Sequence, residues 1–267
     1  MKTFFLEQSL NTNWVKNTFS KVKKSGNKII INADLKKAKF KKKIKIAKQI
    51  RDILTKEKSR QIIVEKNLKQ DKQFLNLLYS YNINICNPKW LFKQLTKEIV
   101  YEIIKEKNIQ ESEIWICINE LDETSKNNII EFAKKFKRLN IITNHIGRFK
   151  EIEDKLYKLY GILINISNNK RKSLIKANII LNIDFPKEIL NQFAIYDEAI
   201  IIDFEGNSKI RKKRFNGKII NEYEFIIDTK SNISNYIKAN GLTNYDERDI
   251  CQALEVVPDG KIGGIIW

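Results

Sequence analysis

At 267 residues, 42% of them hydrophobic and 10% aromatic, the chain can bury one large α/β core or two smaller ones and is not an intrinsically disordered polymer. Its formal net charge of +18 rests almost entirely on lysine, since only eight of its 50 cations are arginine. Three scattered cysteines (Cys86, Cys117, Cys251) and a single histidine, with no CxxC spacing, exclude a zinc site and a Cys–His nucleophile.

The chain opens MKTFFLEQSLNTNW, whose apolar patch is too short for the core of a signal peptide. No apolar run approaches the roughly 20 residues of a membrane-spanning helix. A reducing cytoplasm and no membrane insertion are therefore expected. Near-continuous apolar runs then predict strands at 28–32, 61–65, 83–86, 113–118, 140–143, 162–166, 178–183 and 199–203. Amphipathic stretches predict helices at 35–56, 71–80, 89–107, 123–137, 147–160, 170–176 and 186–192. In the fifth of these Ile146, Phe149, Ile152, Leu156 and Leu159 form one apolar stripe. Asn216-Gly217 predicts a two-residue hairpin between IRKKRF and KIINEYEF. A short helix is expected at 247–254, followed by a turn and a short strand or docked tail in DGKIGGIIW.

This alternation defines an α/β fold with mostly parallel sheets covered by helices on both faces. The divisions expected are an N-terminal α/β domain at 1–138, a Rossmann-like domain with a terminal hairpin at 139–228, and a helix and tail at 229–267. Trp14, Trp90 and Trp115 are expected in or beside cores, and Trp267 as an anchor of the tail.

The densest cationic block, DLKKAKFKKKIKIAKQI from Asp34, reads as a helix capped by Asp34 with lysines turned outward. It fits a solvated surface, or a face for nucleic acid or an acidic protein. Lysine, isoleucine and asparagine share A/T-rich codons, so the charge does not by itself decide between them. Arg211-Lys212-Lys213-Arg214 adds two of the scarce arginines, and reads as a polyanion contact or as a charged edge that guards against strand pairing.

The stretch LNIITNHIGRFKEIEDKLYKLYGILINISNNKRKSLIKANIILNIDFPKEIL, followed by EAIIIDF, reads strand, loop, helix, strand, polar loop, short helix, strand, helix, strand. Residues 139–204 resemble the NAD(P)-binding Rossmann domain of the shikimate dehydrogenase and glutamyl-tRNA reductase families, with KSLIKANIILNID standing where those enzymes have a helix and an Ala-Asp-Ile-Ile-Ile-Asn passage. The resemblance implies a dinucleotide cofactor and, in an enzyme of that kind, a Lys–Asp pair in a substrate domain. It places the pyrophosphate loop at Thr143–Arg148, where only Gly147 remains of the glycines. Asn144, His145, Gly147 and Arg148 thus form either a modified phosphate site at a helix start or an ordinary β–α loop.

After the next strand, Ser167, Asn168, Asn169 and Arg171 supply hydroxyl, amide and cationic groups where an NAD site carries an acid. That chemistry suits a 2′-phosphate, making NADP the better cofactor reading. A lysine-rich solvated loop is the alternative. Asn182 and Asp184 end the third strand on the ligand edge, Asp184 also standing where it favours the helix opened by Pro186. Asp203 ends the next strand, and no nucleophile–base set joins these acids. The expected function is a Rossmann-like protein that binds a nucleotide or other phosphorylated ligand without necessarily catalysing a reaction. A basic nucleic-acid-associated or scaffold protein and a divergent NADP-dependent oxidoreductase are the alternatives.

Overall fold

The computed structural model describes residues 2–8, 21–36, 38–109, 113–206 and 208–266; Trp14 and Trp267 lie outside them. In chain order the elements are β1 (Thr3–Gln8), β2 (Lys21–Ser25), β3 (Lys28–Ala33), α1 (Phe40–Lys56), β4 (Gln61–Val64), α2 (Lys72–Ser80), β5 (Asn84–Ile85), α3 (Lys89–Gln94) and α4 (Thr96–Lys107). They continue as β6 (Glu113–Cys117), α5 (Glu123–Lys135), β7 (Arg138–Ile142), α6 (Lys150–Tyr160), β8 (Asn165–Ser167), β9 (Ile179–Asn182), α7 (Lys187–Leu190), β10 (Ile200–Asp203) and β11 (Lys218–Ile220). The chain closes with β12 (Glu222–Ile227), α8 (Asn232–Asn240), α9 (Glu247–Leu254) and β13 (Gly260–Ile266).

Two compact units share the chain. The first takes Met1–Leu91 and Ile227–Asp259, the second Phe92–Ile226 and Gly260–Trp267. The first unit is built on a sheet of order β2-β3-β1-β4-β5. It is parallel except for β2, which pairs antiparallel with β3. The centre strand β1 carries Phe4, Phe5 and Leu6 fully into the core, so the patch too short to export a protein is a strand. Ile46, Ala47, Ile50 and Leu54 of α1 cover the sheet at three- and four-residue spacing.

Asp34 does not cap α1. The helix begins at Phe40 after an extended Lys39, and the Asp34 carboxylate instead takes Lys42 at 2.9 Å. Lys43 is drawn to Asp71 at 2.6 Å, so part of the cationic block is neutralised within the chain. The helix expected at 89–107 breaks at Leu95, where the Thr96 hydroxyl turns back to the Lys93 carbonyl and competes with the helical ladder.

The second unit holds a six-stranded sheet of order β11-β10-β9-β6-β7-β8, parallel throughout. Numbered from β6, that order is 3-2-1-4-5-6, the strand order of a Rossmann fold. The first Rossmann strand is therefore 113–117 rather than 140–143, and the boundary expected at 138 runs through the sheet. The register sets Cys117 between Ile142 and Asn182, and Asn182 opposite Asp203.

Two local expectations are corrected. The helix expected at 170–176 is a series of turns: Asn169 accepts the Arg171 and Lys172 N–H groups as a helix cap would, but the chain then leaves the helical path and Leu174 bridges Ile195. Asn216-Gly217 does not form a hairpin: Asn216 donates to the Asp197 carbonyl and Lys218 to that of Ala199, leading the chain into β11 parallel to β10. Gly217 is required by close approach, since a Cβ there would stand 2.1 Å from the Ala199 carbonyl oxygen. The tail does end in a strand, β13, beside β12.

Candidate functional site

In an open parallel sheet ligands lie outside the carboxyl ends of the strands, where the strand order reverses. Here that point falls between β6 and β9. The loop leaving β6 is Ile118-Asn119-Glu120-Leu121-Asp122, with no glycine. Asp122 caps α5 through the Ser125 N–H at 2.7 Å.

The upstream N–H groups of this loop have a partner from the next strand over. Asp184, just past β9, accepts the Asn119 N–H on both carboxylate oxygens (2.8 and 2.9 Å) and the Glu120 N–H at 2.7 Å. Partial burial pushes the Asp184 carboxyl above its ordinary range, against the opposing pull of these donors and of Lys93. A carboxylate of the chain thus stands where a Rossmann loop offers its N–H groups to a pyrophosphate.

The loop after β7 is tied to the same place. Arg148 ion-pairs with Glu120 and donates to the Asn119 carbonyl at 3.1 Å. The pair raises the arginine and lowers Glu120 relative to their ordinary values. Asn144 N–H donates to Asn119 Oδ1 at 2.9 Å, and His145 N–H to Thr143 Oγ1 at 3.0 Å. Gly147 lies in a 3₁₀ turn, Ile146–Phe149, and a Cβ there would meet nothing within 4 Å, so it is not a helix-packing glycine.

Because β7 and β8 are neighbours, the segments 143–148 and 167–172 share one edge of the sheet. Ser167 and Asn169 are spent on local structure. The Ser167 hydroxyl meets that of Ser173 at 2.8 Å and accepts the Asn169 N–H, while Asn169 closes its own turn. Asn144, His145, Asn168 and Arg171 remain exposed, with Lys172 beside them. Asn182 is fully buried, donating to Asp203 (2.8 Å), to the Phe185 carbonyl (2.9 Å) and to Ser208, and accepting Phe185 N–H. With both ends of its amide engaged, it holds β9 to β10.

Reading the chain for a glycine loop passed over Asn119 and Glu120. The usable signal was weaker: the apolar run EIWICI followed by a helix cap at Asp122.

The first unit contains a second polar cluster. Asp249 of α9, fully buried, contacts Lys69 from the turn after β4, and its oxygens have no further hydrogen bond. Burial pushes this carboxyl up to about 7, against the attraction of Lys69. Next to it Asp246 and Arg248 form a two-bond fork at 3.0 Å. Glu65, 8% exposed, accepts the Gln8 N–H at 2.7 Å, and the Tyr245 hydroxyl donates to Glu7 at 2.9 Å. Burial raises the thiols of Cys86 and Cys251 to about 12 and that of Cys117 further, so all three are inert at neutral pH. No helix among the described residues is long and apolar enough to cross a membrane.

No family model and no curated protein matches the chain. Among solved structures it is similar to the L-tryptophan dehydrogenase of Nostoc punctiforme, at 10% identity and TM-score 0.35, over 95% of this chain and 80% of that one. It is similar to a shikimate dehydrogenase in complex with NADP+, at 11% identity and TM-score 0.34, over 97% and 91% of the two chains. A third is the hetero-hexameric glutamate dehydrogenase of Thermus thermophilus, at 9% identity and TM-score 0.29, covering 66% of this chain and 50% of that one. The chain thus spans half the length of the glutamate dehydrogenase. The Rossmann assignment itself rests on the order of the six strands.

Proposed function

We propose that this chain is a Rossmann-like protein that binds a phosphorylated small molecule on the rim formed by the loops after β7 and β8, without catalysing a reaction. NADP is the nucleotide whose chemistry suits that rim best. The observation that carries the reading is the exposed rim of Asn144, His145, Asn168, Arg171 and Lys172 on two adjacent loops, while Asp184 already takes the Asn119 and Glu120 N–H groups that a pyrophosphate would claim in the ordinary pose. A second anion there would face a carboxylate rather than a row of free N–H groups.

The neighbouring rim has the opposite character. His145, Arg171 and Lys172 offer cationic or neutral donors beside the amides of Asn144 and Asn168. With the Rossmann count begun at β6, the ribose-reading position is the end of β7, where Asn144 and His145 stand and no acid does, and Arg171, whose fork suits a phosphate monoester such as the 2′-phosphate of NADP, stands on the neighbouring loop after β8. The state of three nearby groups supports the non-catalytic reading. Cys117 is an inert buried thiol, Asp203 and Asn182 hold each other, and Asp184 is committed to the loop after β6.

Calorimetric titration with NADP, NAD and adenosine 2′,5′-bisphosphate tests the proposal. Binding of NADP and the bisphosphate at least tenfold tighter than NAD is expected, with that preference lost in Arg171→Ala. Equal affinity for NAD and NADP, or no binding of any of the three, overturns it.

A further inference from the structure

In the first unit, far along the chain from the rim loops, the end of α1 runs into β4 through a turn at Glu57–Arg60. Lys58 there adopts a left-handed backbone (φ 54°), and the Ser59 N–H closes the helix on the Leu54 carbonyl. This turn borders two adjoining clefts that share Ser59 and Arg60, one of about 160 Å³ and one of about 560 Å³. The larger falls within the size range of small-molecule sites.

Three cations converge on the clefts. Lys58 and Arg60 line the larger, Arg51 and Arg60 the smaller, and no carboxylate lines either among the described residues. Glu57, beside Lys58, is held by Lys2 and Lys24 in two ion pairs that pull it down to about 2, and Asp52 pairs with Arg51, so the cleft's charge rests on Lys58 and Arg60. In a chain where lysine outnumbers arginine severalfold, two arginines at one place are conspicuous. Arg51 is held in place: its guanidinium lies over the Tyr81 ring at 5.3 Å and bonds Asp52 at 2.7 Å.

The other wall differs. Tyr79, 51% exposed, presents an aromatic surface to the larger cleft, and amide side chains from Asn84 and Gln252 complete it, the Asn87 amide being spent on the Ile85 carbonyl and the Lys89 N–H. Gln252 is anchored there by accepting the Asn87 N–H at 2.7 Å. An open ring for stacking, arginines for phosphate and amides for the edge of a base together match one ligand chemistry.

We infer that this cleft binds a nucleoside monophosphate unit, its base stacked on Tyr79, its phosphate on Arg60 and Lys58, and its base edge against the amides. The inference is independent of the NADP proposal, which concerns the other unit. Two sources present this chemistry, a free mononucleotide and a nucleotide within single-stranded RNA.

The test is fluorescence or calorimetric titration of the full chain with AMP, UMP and a short single-stranded oligoadenylate at low and high salt. It compares wild type with Arg60→Ala, Tyr79→Ala, Tyr79→Phe and the rim variant Arg171→Ala. All three positions are exposed, and circular dichroism checks that the four variants fold. Arg60→Ala and Tyr79→Ala are each expected to weaken binding about tenfold or more, consistent with the roughly 1–3 kcal/mol of one stacked base. Tyr79→Phe and Arg171→Ala are expected to bind as wild type. Binding of AMP or UMP identifies the free nucleotide as the source. Binding of the oligomer alone, falling steeply with salt, identifies RNA. No binding by any of the three probes overturns the inference. So does binding that Arg60→Ala and Tyr79→Ala leave intact, or that Arg171→Ala abolishes.

Discussion

Each of the two units keeps an aspartate out of bulk water beside its parallel sheet, and the chain satisfies the two in different ways. Asp184 is half-buried and surrounded by backbone donors, with three N–H bonds from the loop after β6. Asp249 is fully buried and has one ammonium, Lys69. Burial pushes both upward, but backbone donors are fixed by the fold, whereas an ammonium on a four-carbon stem is not. The first acid behaves as part of the scaffold. The second behaves as a titrating group whose charge depends on one side chain and on pH.

The contrast is sharpest if Lys69 is removed. Lys69→Ala leaves Asp249 without compensation and, because the carboxyl can take up a proton instead, is expected to cost about 1.4 kcal/mol in urea unfolding at pH 8, one pH unit above its titration. At pH 5 the loss should be far smaller, because a carboxyl pushed up to about 7 is already protonated there. An equal loss at both values would break the comparison. The wild-type pH profile carries the same signature. Between the ordinary carboxylate range and about 7 the folded state keeps a proton that the unfolded chain releases, so the contribution of Asp249 to stability falls as pH rises through that window and is constant above it. Asp249→Asn should remove that slope.

Asp184→Ala orphans the Asn119 and Glu120 N–H groups and is expected to lower stability by about 2–3 kcal/mol, with Asp184→Asn recovering part through its amide oxygen. Chemical denaturation gives the size. Amide hydrogen exchange at Asn119 and Glu120 shows whether the loss arises in that loop. A smaller pair of effects separates the two glycines singled out in the sequence. Gly217→Ala drives a methyl group into the Ala199 carbonyl and should cost about 1–3 kcal/mol. Gly147→Ala meets open space and should leave stability unchanged or raise it by up to about 1 kcal/mol. If Gly147→Ala proved the costlier, Gly147 would regain the packing role that the structure denies it.

Strand and helix alternation was legible because apolar runs such as EIWIC, NIIL and IIID must be covered on both faces. The site was legible only in part. Asn144, Asn168 and Arg171 stand out in the sequence because they follow strands, and they are exposed in the fold, yet the Rossmann count read from the sequence begins one strand late, because the loop after β6 lacks the glycines that mark a first loop. Once Asp184 fills that loop, no ligand phosphate has to come close and no glycine is needed there. Asn216-Gly217 misled for a related reason: the glycine serves a close approach to β10, and no local signal separates that from a hairpin. β2, with the sequence KVKKS, shows no apolar pattern, and it forms because β3 offers it an edge. Lys69 and Asp249 meet only through tertiary folding, and neither has a sequence signal of its own.

The division of the chain between its units has a consequence for biosynthesis. The chain leaves the first unit after Leu91, returns to it at Ile227, and departs again at Gly260. Phe5, at the centre of the first sheet, receives Tyr245 edge-on at 5.1 Å, and the Gln8 end of that strand waits for the same late segment through Glu7 and Tyr245. While it is being synthesised, the N-terminal sheet is therefore an unfinished surface during the production of the entire Rossmann unit. That unit in turn lacks β13 until Gly260–Ile266 are made. Neither unit can be released by a single cut, and a nascent chain arrested before residue 245 presents an apolar face for a chaperone or an aggregate to take.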